Sequence, residues 1–388
     1  MGVFSTLILA DEELAARRLH ELARSSGVLD VVKSVSPMPA GYSLARTVAT
    51  FEPAVVLVDL QAGPVGFEIG AEIRQRLPKT VLFGMNAHPG HIALAQKAGY
   101  SALLPQDATG QDLRLELREA LHRILGGVEE NLYCFIPSKA GSGASTIVFN
   151  TACAIARARG RKVLVLDGDL RSGVQALLLN AAIPGTVENL LAQAPVIDTF
   201  IWESCVHRAH GVEWVVSGRR LDMALPAWEH WYQVINYAKD RYDTILVDLP
   251  EVVNDATVEI VRRSRMVFTI ATPEVLALKL TGQRLAELRR WQIAEERIGL
   301  IINRHHSSDP TAAELAETLG RPVFKTVPNN YPAFRAAVLA GKPVAEGSKP
   351  GKVFTELAVA LDTAGPAGVE PVPPGWTSKL RGLLRIPA

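Results

Sequence analysis

Short apolar runs alternate along residues 1–125 with longer stretches whose apolar positions recur every third or fourth residue. An apolar run bounded by turn residues suits a buried strand, whereas spacing near 3.6 lays one apolar stripe along a helix. STLILAD therefore predicts a strand, and EELAARRLHELARSSG an amphipathic helix that stops at Gly27. PAVVLVDL, TVLFGM and YSALLP predict further strands, with GFEIGAEIRQRLP, HIALAQKAG and GQDLRLELREALHRIL as the helices. Strands that alternate with helices in this way build a parallel α/β sheet.

GGVEEN then predicts a linker at 126–131. The alternation restarts with LYCFIPS, followed by the helix STIVFNTACAIARARG. KVLVLDGD, GVEWVVSG, YDTILVDLP, RMVFTIATP, RIGLIINR and PVFKTVP are the next strand candidates, within a larger α/β domain at 132–362. From TAGPAGVEPVPPG onward, proline, glycine and alanine predict an extended or disordered connector, and WTSKLRGLLRIPA closes a tail segment at 363–388.

A chain of 388 residues exceeds what one core usually serves, so two domains fit its length. Its 41 basic and 40 acidic residues nearly cancel, which gives no electrostatic argument for nucleic acid as the principal partner. Cys134, Cys153 and Cys205 lack metal-ligand or Cys-x-x-Cys spacing and predict buried thiols in a reducing compartment. The N-terminus has no basic segment before its apolar run, and no run approaches the ~20 residues of a membrane span. These features predict a cytoplasmic chain. Gly2 and Thr6 match a loose myristoylation pattern, for which a chance match just before the first strand is the alternative.

Candidate chemistry concentrates in PSKAGSGASTI, a glycine-rich turn between a predicted strand and helix. Free backbone N–H groups and the helix dipole favour an anion at such a turn. Gly141 and Gly143 allow close approach, and Ser145 stands where a magnesium-binding hydroxyl belongs, but the usual loop lysine position holds Ala144. Asp167 and Asp169 end one predicted strand, Asp248 another, and Asn303 a third. Strand C-terminal edges bind ligands in open α/β sheets. A lone acid such as Asp248 can hold a magnesium shell; isolated acids at strand ends also cap helices.

Taken together, SKAGSGAST, LVLDGDLRSG, YDTILVDLP and IINR resemble the deviant Walker A ATPases of the ParA/MinD superfamily. The resemblance implies ATP and Mg2+ as cofactors, with Gly141, Ser142, Gly143, Ala144, Ser145 and Thr146 around the phosphates. It makes Lys139 the signature lysine, reaching the nucleotide of the facing subunit in an ATP-dependent homodimer. It implies that Asp169 positions the attacking water, that Ser145, Asp169 and Asp248 serve the metal, and that Asn303 contacts adenine. Ala140 departs from a family glycine, and the GAST ending is similar to the CpaE/TadZ branch, the ATPases of Tad (Flp-type) pilus assembly. That branch implies a flavodoxin-like, receiver-like front domain, a larger P-loop NTPase-type mostly parallel sheet flanked by helices, polar localisation, and pilus or secretion machinery as partners.

Ala144 has a calculable cost. One hydrogen bond to a charged group contributes roughly 1.5–3 kcal/mol, so binding survives its loss. A transition state is more demanding, because one cationic group can be worth about 10³–10⁵ in rate. The expectation is ATP binding with slow or no hydrolysis. In the front domain Asp11, Glu12 and Asp59 resemble a receiver's acid pocket, but TVLFGMNAH offers no switch hydroxyl and Gln106 stands where a lysine is expected. A docking pseudo-receiver is expected over a phosphorylated switch. The tail would put Trp376, Leu380, Leu383 and Leu384 on one helical face beside basic residues, chemistry suited to peripheral contact with an anionic membrane or to a partner groove, with disorder as the alternative. Two rivals stand beside the pilus factor: an active positioning ATPase acting on DNA, septum or membrane, and a scaffold that no longer binds nucleotide.

Overall fold

The computed structural model describes residues 3–363, except 125–126, 184 and 220–224. The chain forms two compact units, Met1–Gly127 and Val128–Ala388. The basic tail beyond residue 363 and Gly2 of the myristoylation pattern lie outside the described residues. Among those residues no helix is long and apolar enough to cross a membrane.

The front unit holds β1 (Phe4–Leu9), β2 (Leu29–Val35), β3 (Val55–Asp59), β4 (Val81–Met85) and β5 (Ala102–Leu103). They form one sheet in the order β2-β1-β3-β4-β5, with every pairing parallel. All of β3 and β4 is buried, as expected of central strands covered by helices on both faces. β2 and the helix Tyr42–Phe51 have no counterpart in the hydrophobic pattern. β2 is an edge strand, and its LDVVKSV is half exposed and carries charge, so no continuous apolar run marks it.

The second unit holds β6 (Glu129–Pro137), β7 (Val163–Asp167), β8 (His207–Ala209), β9 (Val212–Val215), β10 (Thr244–Asp248), β11 (Ser264–Ala271), β12 (Ile298–His305) and β13 (Val323–Pro328). Their order is β13-β12-β11-β6-β10-β7-β9-β8, parallel except for the short β8–β9 pair. Alternate residues of β6 face opposite cores: Leu132, Cys134 and Ile136 join one, Tyr133 and Phe135 the other. Phe135 stacks on Phe268 of β11 with ring centroids 5.1 Å apart. The aromatic stretch near residue 230 is packing, since Trp228, Trp231 and Tyr232 are all buried.

The expected linker at 126–131 is corrected at its end, because β6 already begins at Glu129. The Glu129 carboxylate lies 2.6 Å from the Arg263 guanidinium and 3.1 Å from the Lys239 ammonium. Paired charges, rather than apolar residues, start this strand, which is why the hydrophobic pattern places its start later.

Candidate functional site

The order of the larger sheet reverses at β6, whose neighbours β10 and β11 both come much later in the chain. A crevice opens at such a switch point, outside the strands' C-terminal ends. The loop 138–143 leaves β6 there and enters the helix Ala144–Arg159 through Gly143. Gly141 and Gly143 take φ of 78° and 90°, the left-handed region that only glycine adopts without strain. A Cβ on Gly143 would also lie 2.3 Å from Asn303 Nδ2. The loop and its surroundings enclose a cavity of about 470 Å³, of the size that small-molecule ligands occupy.

Gly141, Ser142, Gly143, Ala144, Ser145 and Thr146 all line this cavity, and Asp169 faces it from the turn after β7. Asp169 Oδ1 accepts from the N–H groups of Arg171 and Ser172, at 3.2 and 2.8 Å, which fixes the turn. Asp248 is buried behind the loop, and Asp167 is its partner in the β7–β10 register, so two carboxylates stand side by side on adjacent strands. Burial pushes the Asp248 carboxyl up to about 6, against hydrogen bonds from Ser145 and Gln175, and neighbouring Asp169 adds to the rise. Burial, followed by the charge of Asp248, likewise raises Asp167 well above the ordinary carboxylate range.

Gln175 has no precedent in the motif reading. Its Nε2 donates to Asp248 Oδ2 at 2.8 Å and to the Ser145 carbonyl at 3.1 Å. Its backbone N–H donates to Asp167 Oδ2 at 3.4 Å. One buried residue thus ties the loop to both acids, through its side-chain amide to Asp248 and through its backbone N–H to Asp167. Nothing in VQALLL marks it, because its partners come from other elements of the fold.

Asn303, at the end of β12, is buried, and its Nδ2 donates to the Ser142 carbonyl at 2.8 Å. Asn303 and Arg304 also border a second cavity of about 530 Å³ beside Pro328, Tyr331 and Phe334. Lys139 is partly exposed and does not line the first cavity; its Nζ comes within 3.5 Å of the Ala140 carbonyl. Cys134, Cys153 and Cys205 are buried and unpaired, as their spacing predicts.

The residues present fit a magnesium nucleotide. Magnesium takes one or two carboxylates and completes its shell with phosphate oxygens and water, which Ser145, Asp169 and Asp248 can serve. The buried hydroxyls of Ser138 and Ser142 have no hydrogen-bond partner among the described residues, leaving polar groups for a ligand that enters the loop.

In the front unit Asp59 is buried at the end of β3, and Asp11 and Glu12 are exposed after β1, at the same edge of the sheet. Asp59 Oδ1 accepts from Asn86 Nδ2 at 2.8 Å and from the Gln61 N–H at 3.2 Å. Asn86, just beyond β4, holds φ at 55°. Among the described residues no three His, Cys, Asp or Glu side chains gather to hold a metal ion, so Asp11, Glu12 and Asp59 share an edge without forming a metal cluster.

A family model, the CobQ/CobB/MinD/ParA nucleotide binding domain, matches residues 133–344, more than half of the chain. The chain belongs to this family. A ParA family ATPase from Chlorobium tepidum is similar in fold: 22% identical, TM-score 0.55, over 59% of this chain and 99% of that one. MinD, the cell division ATPase of Pyrococcus furiosus, is 25% identical with TM-score 0.52, over 61% of this chain and 100% of its own. MinD from Pyrococcus horikoshii, solved with Mg-ADP, is 24% identical with TM-score 0.52, over 61% of this chain and 99% of its own. A curated relative, "Putative tyrosine-protein kinase AmsA" of Erwinia amylovora, is 25% identical over 190 residues, 47% of this chain. This chain spans about 25% of that relative's length.

Proposed function

We propose that this CobQ/CobB/MinD/ParA-family chain is an ATP-binding, dimerising localisation and assembly factor for a Tad (Flp-type) pilus or a related secretion machine, with slow or no ATP hydrolysis. One observation carries the reading: a glycine loop, Ser145 and Asp169 line a ligand-sized cavity with Asp248 buried behind it, while Ala144 replaces the lysine of the loop. Loop N–H groups and the dipole of the helix Ala144–Arg159 would hold phosphate. Ser145 and Asp248 would hold Mg2+, with Asp169 near the metal and the attacking water. Bound magnesium would neutralise charge on the phosphates. Asn303 borders the second cavity, which suits a base.

Lys139 lies outside the cavity of its own subunit, consistent with a lysine that reaches a facing nucleotide. The GAST ending and the parallel β2-β1-β3-β4-β5 order of the front unit support the pilus assignment and a receiver-like front domain. Asn86 occupies an oxygen of Asp59, which favours a docking pseudo-receiver over a phosphorylated switch. Incubation with a small phosphodonor should leave the intact mass unchanged; stoichiometric modification at Asp59 would reverse that view. Asp169 at the cavity wall also supports a second reading, an active positioning ATPase. Turnover stimulated strongly by DNA or by membrane would favour the second reading.

The deciding measurement combines ATP and ADP binding with light scattering. The wild-type chain is expected to bind ATP and to dimerise with it, and Lys139→Ala to bind ATP and stay monomeric. A Lys139→Ala protein that dimerises like wild type would remove the role assigned to Lys139, and a wild-type chain that binds neither nucleotide would leave a scaffold.

A further inference from the structure

A triphosphate is strongly anionic, Ala144 stands where the loop would carry its usual lysine, and Lys139 does not line the cavity. The cavity wall adds negative charge through Asp169 and Glu251, with Asp248 buried behind it. Among the described residues that line the cavity, the cations are Arg171, from the turn after β7, and Arg304, from the C-terminal end of β12. Both side chains are exposed, and neither guanidinium has a hydrogen-bond or ion-pair partner among the described residues.

Their backbones, by contrast, are held. The Arg171 N–H is fixed on Asp169 Oδ1 at 3.2 Å. Arg304 takes φ of 56°, an uncommon conformation for a residue with a side chain, and its N–H donates to Asn303 Oδ1 at 2.9 Å. The other end of the same Asn303 amide holds the Ser142 carbonyl of the loop at 2.8 Å. Arg304 is thereby registered against the phosphate loop through a single side chain, and it borders both cavities. A strained backbone retained beside a ligand cavity points to a function for the residue that bears it.

We propose that the guanidinium groups of Arg171 and Arg304 take over the phosphate-binding role left vacant at Ala144. The proposal rests on the nucleotide reading above. A guanidinium presents a planar fork of donors that matches two phosphate oxygens, so two such groups can replace the single point charge of a lysine. They approach from the C-terminal ends of the strands rather than from the helix start.

The test measures MgATP and AMP binding by calorimetry on the full chain, for wild type, Arg171→Ala, Arg304→Ala and the double variant. Each single change is expected to weaken MgATP by roughly tenfold or more, the range of a charged hydrogen bond. The double variant should lose more, and AMP should shift by no more than about twofold in any of them, since it lacks the β- and γ-phosphates. The Arg→Lys variants should recover part of the loss, because the charge is kept and the fork is not. A double variant that binds MgATP within about twofold of wild type would overturn the proposal and leave the nucleotide reading standing. Failure of the wild-type chain to bind MgATP would overturn both.

Discussion

Asn303 shows how much one side chain can organise. Its Nδ2 holds the Ser142 carbonyl, its Oδ1 holds the Arg304 N–H, and Gly143 is a glycine because a Cβ there would strike the amide. Asn303→Ala removes both bonds and orphans a buried carbonyl, at a cost of about 1–3 kcal/mol. Urea unfolding should show that loss, and ATP affinity should fall with it because the loop is no longer held. Sequence alone points to Asn303 as a strand-end polar residue, whereas its partner in the loop is a tertiary fact. Cysteine chemistry is decided at the same scale. Burial pushes the Cys134 and Cys153 thiols up to about 12, so neither forms a reactive thiolate at neutral pH. Iodoacetamide at pH 8 should leave both unmodified in the native protein and label all three cysteines in urea.

At the scale of elements, β6 shows where a hydrophobic pattern stops being informative. Its apolar half, LYCFIP, is evident from the sequence, but its first turn of pairing depends on Glu129 meeting Arg263 and Lys239. Burial alone would raise the Glu129 carboxyl; hydrogen bonds and charge from Arg263 and Lys239 outweigh it and hold the group below its ordinary value of 4.5. A depressed native value stabilises the fold fully above the unfolded value, and the contribution disappears as pH falls through the native one. Glu129→Gln should therefore cost about 1.5–3 kcal/mol at pH 7. The gap between wild type and variant should close as pH drops below the ordinary 4.5, which chemical denaturation across pH would show. The edge strands β2 and β8 escape the pattern for a related reason: pairing on one side only lets them keep polar residues.

For the whole molecule, ligand and fold are linked through the second unit. Ligand at 100 times its Kd adds about 2.7 kcal/mol to the bound fold. For a unit of this size that is a rise of roughly 5–10 °C in Tm. MgATP should produce it and EDTA should reverse most of it, because Ser145 and Asp248 then lose the metal that they would share with the phosphates; an equal shift with and without EDTA would remove magnesium from the site. The sequence by itself determined the α/β alternation, the glycine loop and the acids at strand ends, because strand and helix periods, turn glycines and burial demands are set by near neighbours. Only the tertiary structure decided which of those groups meet. The sheet order sets Asp248 beside Asp167, folds Gln175 between the loop and both acids, and leaves Lys139 outside the cavity while Arg171 and Arg304 line it. The physical reason is that parallel strands join through long crossovers, so residues far apart in the chain become neighbours by strand order, which no local spacing encodes.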